Sequence, residues 1–349
     1  MDKSLGKFKK IAEGILDQEL LKQTETGEVS STHSKSHLTI TANLTQLVGK
    51  IYKFSEQELF LVYFAALFHD LVRSPSQDKD LQDEQLNAQQ AVELLENFEV
   101  SDEEKMAVSY AIINHGSNPS WMENPSTRET SPQSLKEKIR FALYVADKIE
   151  QNGVRVIARR SAFVAGERLN KKNGDLRAFG FKPKKDELLV VALESALRLT
   201  FINPEIIYPQ RLKSIVKPLY VLHRAFVYGI LKALNLSVYK LAQIILETKR
   251  VDGKNLKEVR KMKDISDLKD LSNLIKTKGQ LSDEQIQNTN KETSEAAKEA
   301  VAYFSSHYAQ DIDQLMLNWK PENEIAKTWQ REMVEYLDGT WFNEVGKSI

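Results

Sequence analysis

The chain has 349 residues, enough for a primary domain plus an appendage at roughly 150 residues per domain, and its 41% apolar content lies well above the disordered range. Forty-nine basic residues balance forty-nine acidic ones, so no global field commits the protein to nucleic acid or to an anionic membrane. With no cysteine, disulfides, thiolate metal sites and cysteine nucleophiles are excluded together, and any metal must be held by histidine and carboxylate.

Only fourteen glycines and nine prolines break the chain, which favours an all-α protein. The N-terminal stretch MDKSLGKFKKIAEGILDQELLKQ alternates lysines with apolar residues and reads as an amphipathic helix rather than a targeting segment. Ile40, Leu44, Leu47 and Val48 mark one buried stripe of the next helix, capped by Ser36 or a neighbouring Ser/Thr, with His37 at its beginning. Ser55 and Glu58 form a capping box for a helix that is apolar on all sides to Phe68 and therefore central; it runs into HDLVR.

SPSQDKDLQDEQ is expected as an exposed loop or frayed turn before a helix with Ala88, Ala91, Leu94 and Leu95 on one face. Ser101 opens another helix, bearing Met106, Tyr110 and Ile113 and closing at Asn114, His115 and Gly116. SNPSWMENPSTRETSPQS, with three prolines, is a turn-rich connector. Leu135, Ile139, Leu143 and Ala146 then mark a stripe with Asp147 beside its last member.

Beyond it, Arg155 to Lys185 carries ten basic and two acidic residues, whereas Gln77 to Lys105 carries ten acidic and two basic, so this part of the chain is electrically polarised. Apolar helical patterns between 187 and 246 predict a second helical layer. Lys249 to Gly279 is polar and 280–299 lacks large apolar groups, which predicts a polar linker or exposed helices. The tail from about Ala300, with Trp319, Trp329 and Trp341, is expected to pack again.

His69-Asp70 is a weak signal by itself, but it ends the most buried helix, where an ionised carboxylate is costly without a cation or several donors. A histidine begins an earlier helix, another ends a later one, and an aspartate follows an apolar stripe in a fourth. Nitrogen and oxygen donors on separate helices are what a divalent ion requires.

The succession SHLTITANLTQLV, LFHDLVR, AIINHG and YVADKIE, over about residues 30–165, resembles the HD-domain metal-dependent phosphohydrolases. The resemblance implies a helical bundle around one divalent ion (manganese, nickel, cobalt, iron, zinc or magnesium) held by His37, His69, Asp70 and Asp147. By it, His115 helps bind substrate phosphate or a second metal. Asp83 stands near the place where two-metal members carry a further histidine, which favours a single ion, and Val72 and Arg73 replace the acidic pair of the alarmone hydrolases, which argues against that substrate.

In such a site Asp70 both ligates and orients the attacking water, and positive groups neutralise charge building on phosphoryl oxygens. Arg73, Lys148 and His115 are candidates for the latter, with Arg155 and Arg159 further along a polyphosphate or nucleic-acid backbone; Asp78 and Asp80 are candidate general base or acid. His33, His223 and His307 read as surface or structural. The expected organisation is an HD-type domain at 1–165, a second helical layer at 166–248, the polar segment at 249–299 and a C-terminal helical segment at 300–349. The expected function is that of a cytoplasmic phosphohydrolase acting on a phosphomonoester or phosphoanhydride, with a nucleotide as the small partner and no membrane partner. Two alternatives stand beside it: a non-catalytic nucleotide-sensing or partner-docking module, and a nucleic-acid phosphodiesterase.

Overall fold

A computed structural model of the chain describes residues 2–26, 35–72, 80–116, 132–152, 155–164, 188–189, 192–193, 196, 209–237, 283–307 and 310–348. Every regular element among them is helical, as the composition requires. Contacts divide the chain into two compact units, one comprising Met1–Gln151, Tyr208–Val216 and Tyr336–Ile349, the other Asn152–Ile207 and Lys217–Glu335. The first unit stops at Gln151 in its N-terminal stretch and takes in the last helix of the chain.

In the first unit, α1 (Asp2–Thr26), α2 (Lys35–Ile51), α3 (Glu56–Phe68), α4 (Asp80–Leu95), α5 (Asp102–Ile113) and α6 (Leu135–Asn152) follow in order. The centre is α3. Ser55 caps it as expected, its hydroxyl accepting from Glu58 N–H while the Glu58 carboxylate accepts from Ser55 N–H at 2.7 Å. All ten residues from Leu59 to Phe68 are buried, and Phe64 packs on Phe60, Phe68 and Phe98. Each such side chain contributes on the order of 1.5–3 kcal/mol by leaving water.

Helix α1, with Ala12 and Leu16 buried, lies against α3 with Phe8 on Phe60 and the Tyr63 hydroxyl donating to Glu13. The expected stripe of α2 is buried, but Ser36 sits inside the helix rather than at its cap. Helix α4 begins at Asp80, so DLQDEQ is helical and not loop.

Helix α5 buries its smaller side chains. Ala107, Val108, Ala111 and Ile112 are the buried residues, while Met106 is 66% exposed and lines an open groove with Val92, Tyr110 and Ile113.

In the second unit, α7 (Arg155–Arg159) passes into a π-helical turn, Arg160–Val164, where the buried Ser305 hydroxyl donates to the Ser161 carbonyl at 2.9 Å. The later helices are α8 (Lys213–Ala233), whose residues from Lys217 belong to this unit, α9 (Asp283–Gln287), α10 (Lys291–Ser306), α11 (Ile312–Asn318) and α12 (Glu324–Leu337), which belongs to it as far as Glu335. Residues 291–299, expected as polar linker or exposed helices, are helical, and α10 buries Ser294, Ala296 and Ala297, so small side chains do the packing where large ones are scarce. Trp319 stacks on Tyr303 and Trp329 meets Phe226 edge-on, which seats the aromatic tail as expected. The final helix, α13 (Thr340–Ser348), belongs to the first unit, where Gly346 approaches Leu47 of α2.

Candidate metal centre

The antiparallel pairing of α2 and α3 creates the site. Gln46, 4% exposed, donates its side-chain amide to the Leu59 carbonyl, and the Thr45 hydroxyl reaches the Val62 carbonyl at 3.3 Å. The two helices approach closely because Gly49 has no side chain: a Cβ there would stand 2.6 Å from Leu59 Cδ2. Following that register toward the start of α2 and the end of α3 brings His37 opposite His69, with ring centroids 5.3 Å apart. Helix α5 ends on the same side and adds His115, whose ring meets His69 edge-on at 5.0 Å.

Helix termini set the orientation of two of these rings. The last carbonyls of a helix lack intrahelical donors. His69, the C-cap of α3, places Nδ1 2.7 Å from the Ala66 carbonyl, and His115, just past α5, places Nδ1 2.6 Å from the Ile112 carbonyl. A carbonyl only accepts, so each Nδ1 carries the proton and each Nε2 keeps its lone pair. Those Nε2 atoms converge on one carboxylate: His69 Nε2 is 3.5 Å and His37 Nε2 3.7 Å from Asp70 Oδ2, and His115 Nε2 is 3.8 Å from Asp70 Oδ1. His69 Nε2 is buried and makes no hydrogen bond.

The other wall is α6, where Asp147 and Glu150, three residues apart, share a helix face. They flank a single imidazole: Asp147 Oδ1 lies 3.9 Å from His37 Nε2 and Glu150 Oε2 3.1 Å from His37 Nδ1. Lys148 places its ammonium 3.1 Å from Asp147 Oδ2 and is 19% exposed. Burial alone would raise the Asp147 carboxyl, but Lys148 and then the imidazoles hold it well below the usual carboxylate range. In turn Asp147 raises Lys148 and keeps it charged. Burial drives His69 the other way, down to about 4, so its ring is neutral at neutral pH.

The donor set fits a divalent cation. One ligand atom each from His37, His69 and Asp70 lie within 4.8 Å of one another. Ion–ligand bonds of about 2.1 Å in a tetrahedral shell separate neighbouring donors by about 3.4 Å, close to the spacings seen here. A neutral imidazole with its far nitrogen anchored, an open Nε2 and buried carboxylates are the chemistry such an ion needs.

Of the residues singled out in the sequence, His37, His69, Asp70, His115, Asp147 and Lys148 come together. Asp80 opens α4, while His33, Arg73 and Asp78 lie outside the described residues. Arg159 ends α7 in the second unit. Arg155, expected to contact phosphate, is instead 1% exposed with its guanidinium 3.2 Å from Asp313 of the same unit; a buried guanidinium needs such a counter-ion. Asp83 is buried on α4, and His223 and His307 bond to the Ala196 and Tyr303 carbonyls, structural roles as expected.

Two residues escaped the sequence reading. Glu150 had one faint signal, its spacing of three from Asp147. Asn87 had none: from α4 its side chain accepts from Val72 N–H at 2.6 Å and donates to the Val72 carbonyl at 3.0 Å, clamping the turn that carries His69 and Asp70.

Among known families, the model for the HD domain matches residues 31–152, which takes in His37, His69, Asp70, His115, Asp147 and Glu150. No curated protein and no solved structure matches the chain.

Proposed function

We propose, on the footing that residues 31–152 are an HD domain, that the chain is a divalent-metal-dependent phosphohydrolase whose substrate is a phosphomonoester or phosphoanhydride of a nucleotide. The observation that carries this reading is the convergence of the Nε2 atoms of His37, His69 and His115 on the Asp70 carboxylate, with Asp147 facing His37. His37, His69, Asp70 and Asp147 would hold the ion. When bound, a divalent cation supplies Lewis acidity, lowering the pKa of water and polarising a phosphoryl oxygen.

The protein's own groups do the rest. Asp70, ringed by three imidazoles, orients the nucleophilic water toward phosphorus. Lys148, held charged by Asp147 yet partly open to solvent, stands where an incoming phosphate meets the cluster. His115 contributes an Nε2 on the Asp70 side for a phosphoryl oxygen or a proton. Among the described residues no helix is long and apolar enough to cross a membrane.

Purified protein loaded with manganese, nickel, cobalt or magnesium should release phosphate or pyrophosphate from members of a nucleotide panel. An Asp70→Ala variant should fall by at least about 100-fold, the scale of losing an oriented nucleophile. A metal-replete preparation with no turnover on the panel, equal to Asp70→Ala, refutes the proposal.

A further inference from the structure

His37 faces a problem that His69 and His115 do not. Those two rings sit at helix C-termini, where free carbonyls hold Nδ1. His37 lies in the first turn of α2, and the backbone at a helix N-terminus offers N–H donors, not acceptors. An imidazole whose Nδ1 finds no acceptor is free to protonate at Nε2 instead, and that tautomer turns a hydrogen rather than a lone pair toward Asp70 and Asp147.

Glu150 stands at that edge of the ring. Its carboxylate is buried, 1% exposed, and Oε2 lies 3.1 Å from His37 Nδ1, an ion-pair contact without the alignment of a hydrogen bond. Burying a carboxylate is costly, and the position one helical turn from Asp147 would take an apolar residue for packing alone. We infer that Glu150 is a positioning residue: by holding its carboxylate against Nδ1 it keeps the proton on that nitrogen and so fixes the tautomer of His37, leaving Nε2 for the cation.

This rests on the metal-dependent reading above, and cobalt(II) binding to the metal-free full-length protein tests the two separately, by titration calorimetry and by the visible ligand-field spectrum. Glu150→Met fills the same space without an acceptor and removes a buried charge, so the fold is kept. Its cobalt affinity should fall by 10–100-fold, the usual cost of losing a partner behind a ligating histidine, with a changed spectrum and a urea midpoint no lower than wild type. Glu150→Gln, whose amide oxygen keeps an acceptor beside Nδ1, should recover a large part of that loss.

Unchanged affinity and spectrum in Glu150→Met overturn the role of Glu150 while leaving the metal centre standing. Equal losses in Glu150→Met and Glu150→Gln also overturn it, because charge and not orientation would then be the cause. A wild-type protein that takes up no cobalt overturns both readings.

Discussion

Asn87 offers a direct test of how the fold holds the His69-Asp70 turn. Its side chain is 1% exposed and satisfies both polar groups of Val72, two residues after Asp70. Asn87→Leu keeps a similar volume and removes both hydrogen bonds. Each is worth about 1 kcal/mol net, and a peptide group left without a partner costs on the order of 1–3 kcal/mol more. Val72 is only partly buried, so water recovers some of that second cost, and the expected loss is about 2–4 kcal/mol. Because the strain falls on the turn, the Val72 amide should lose 10-fold or more of its hydrogen-exchange protection, and cobalt affinity should drop in parallel. Urea unfolding and native-state exchange of the metal-free protein measure both. An Asn87→Leu variant with the wild-type midpoint and wild-type protection at Val72 would refute the clamp.

The metal-free protein should also lose stability in mild acid. Burial lowers His69 from 6.5 to about 4, so below pH 6.5 the unfolded chain takes up a proton that the folded chain refuses until pH 4. Stability from this group is therefore complete above pH 6.5 and lost between there and pH 4, about 3 kcal/mol at about 1.4 kcal/mol per pH unit. Urea unfolding across that range checks it; a His69→Gln variant with the same pH slope as wild type contradicts it. In the second unit, Gly229→Ala places a Cβ 2.6 Å from the Thr293 carbonyl oxygen and 2.9 Å from Ala297 Cβ. Backbone cannot yield as a flexible side chain would, so overpacking of about 1–3 kcal/mol outweighs the gain of about 1 kcal/mol in helix propensity. The urea midpoint should fall, and a more stable variant would show that α8 and α10 do not meet there.

What the sequence made legible depended on how much each signal relied on distant partners. Helix α3 was readable because an all-round apolar run after a capping box has one soluble solution, a central helix. His37, His69, Asp70 and Asp147 were readable through their order along the chain. The face of α5 was not: its core side is built of Ala107, Val108, Ala111 and Ile112, and two alanines weigh less in any hydrophobic pattern than Met106 and Tyr110 on the open side. The same lightness of alanine hid the packing face of α10. Glu150 and Asn87 were hidden for another reason. Each acts on a residue more than a dozen positions away, His37 and Val72, so nothing local separates them from solvated polar residues.

If the proposed phosphohydrolase function holds, the charge state of the cluster constrains how a phosphate would enter it. Burial keeps His69 neutral, while Lys148 keeps Asp147 ionised. Asp70 lies 4% exposed among lone-pair nitrogens, so the interior of the site presents electron pairs and negative charge. Lys148 sits beside Asp147 with only part of its surface in solvent, and its charge is committed first to that carboxylate. A phosphate approaching the bare protein therefore meets repulsion from the interior that one rim ammonium does not offset. On that reading, neutralising the interior would free Lys148 for the phosphate and make anion affinity conditional on the cation, an order imposed by the burial of the histidines.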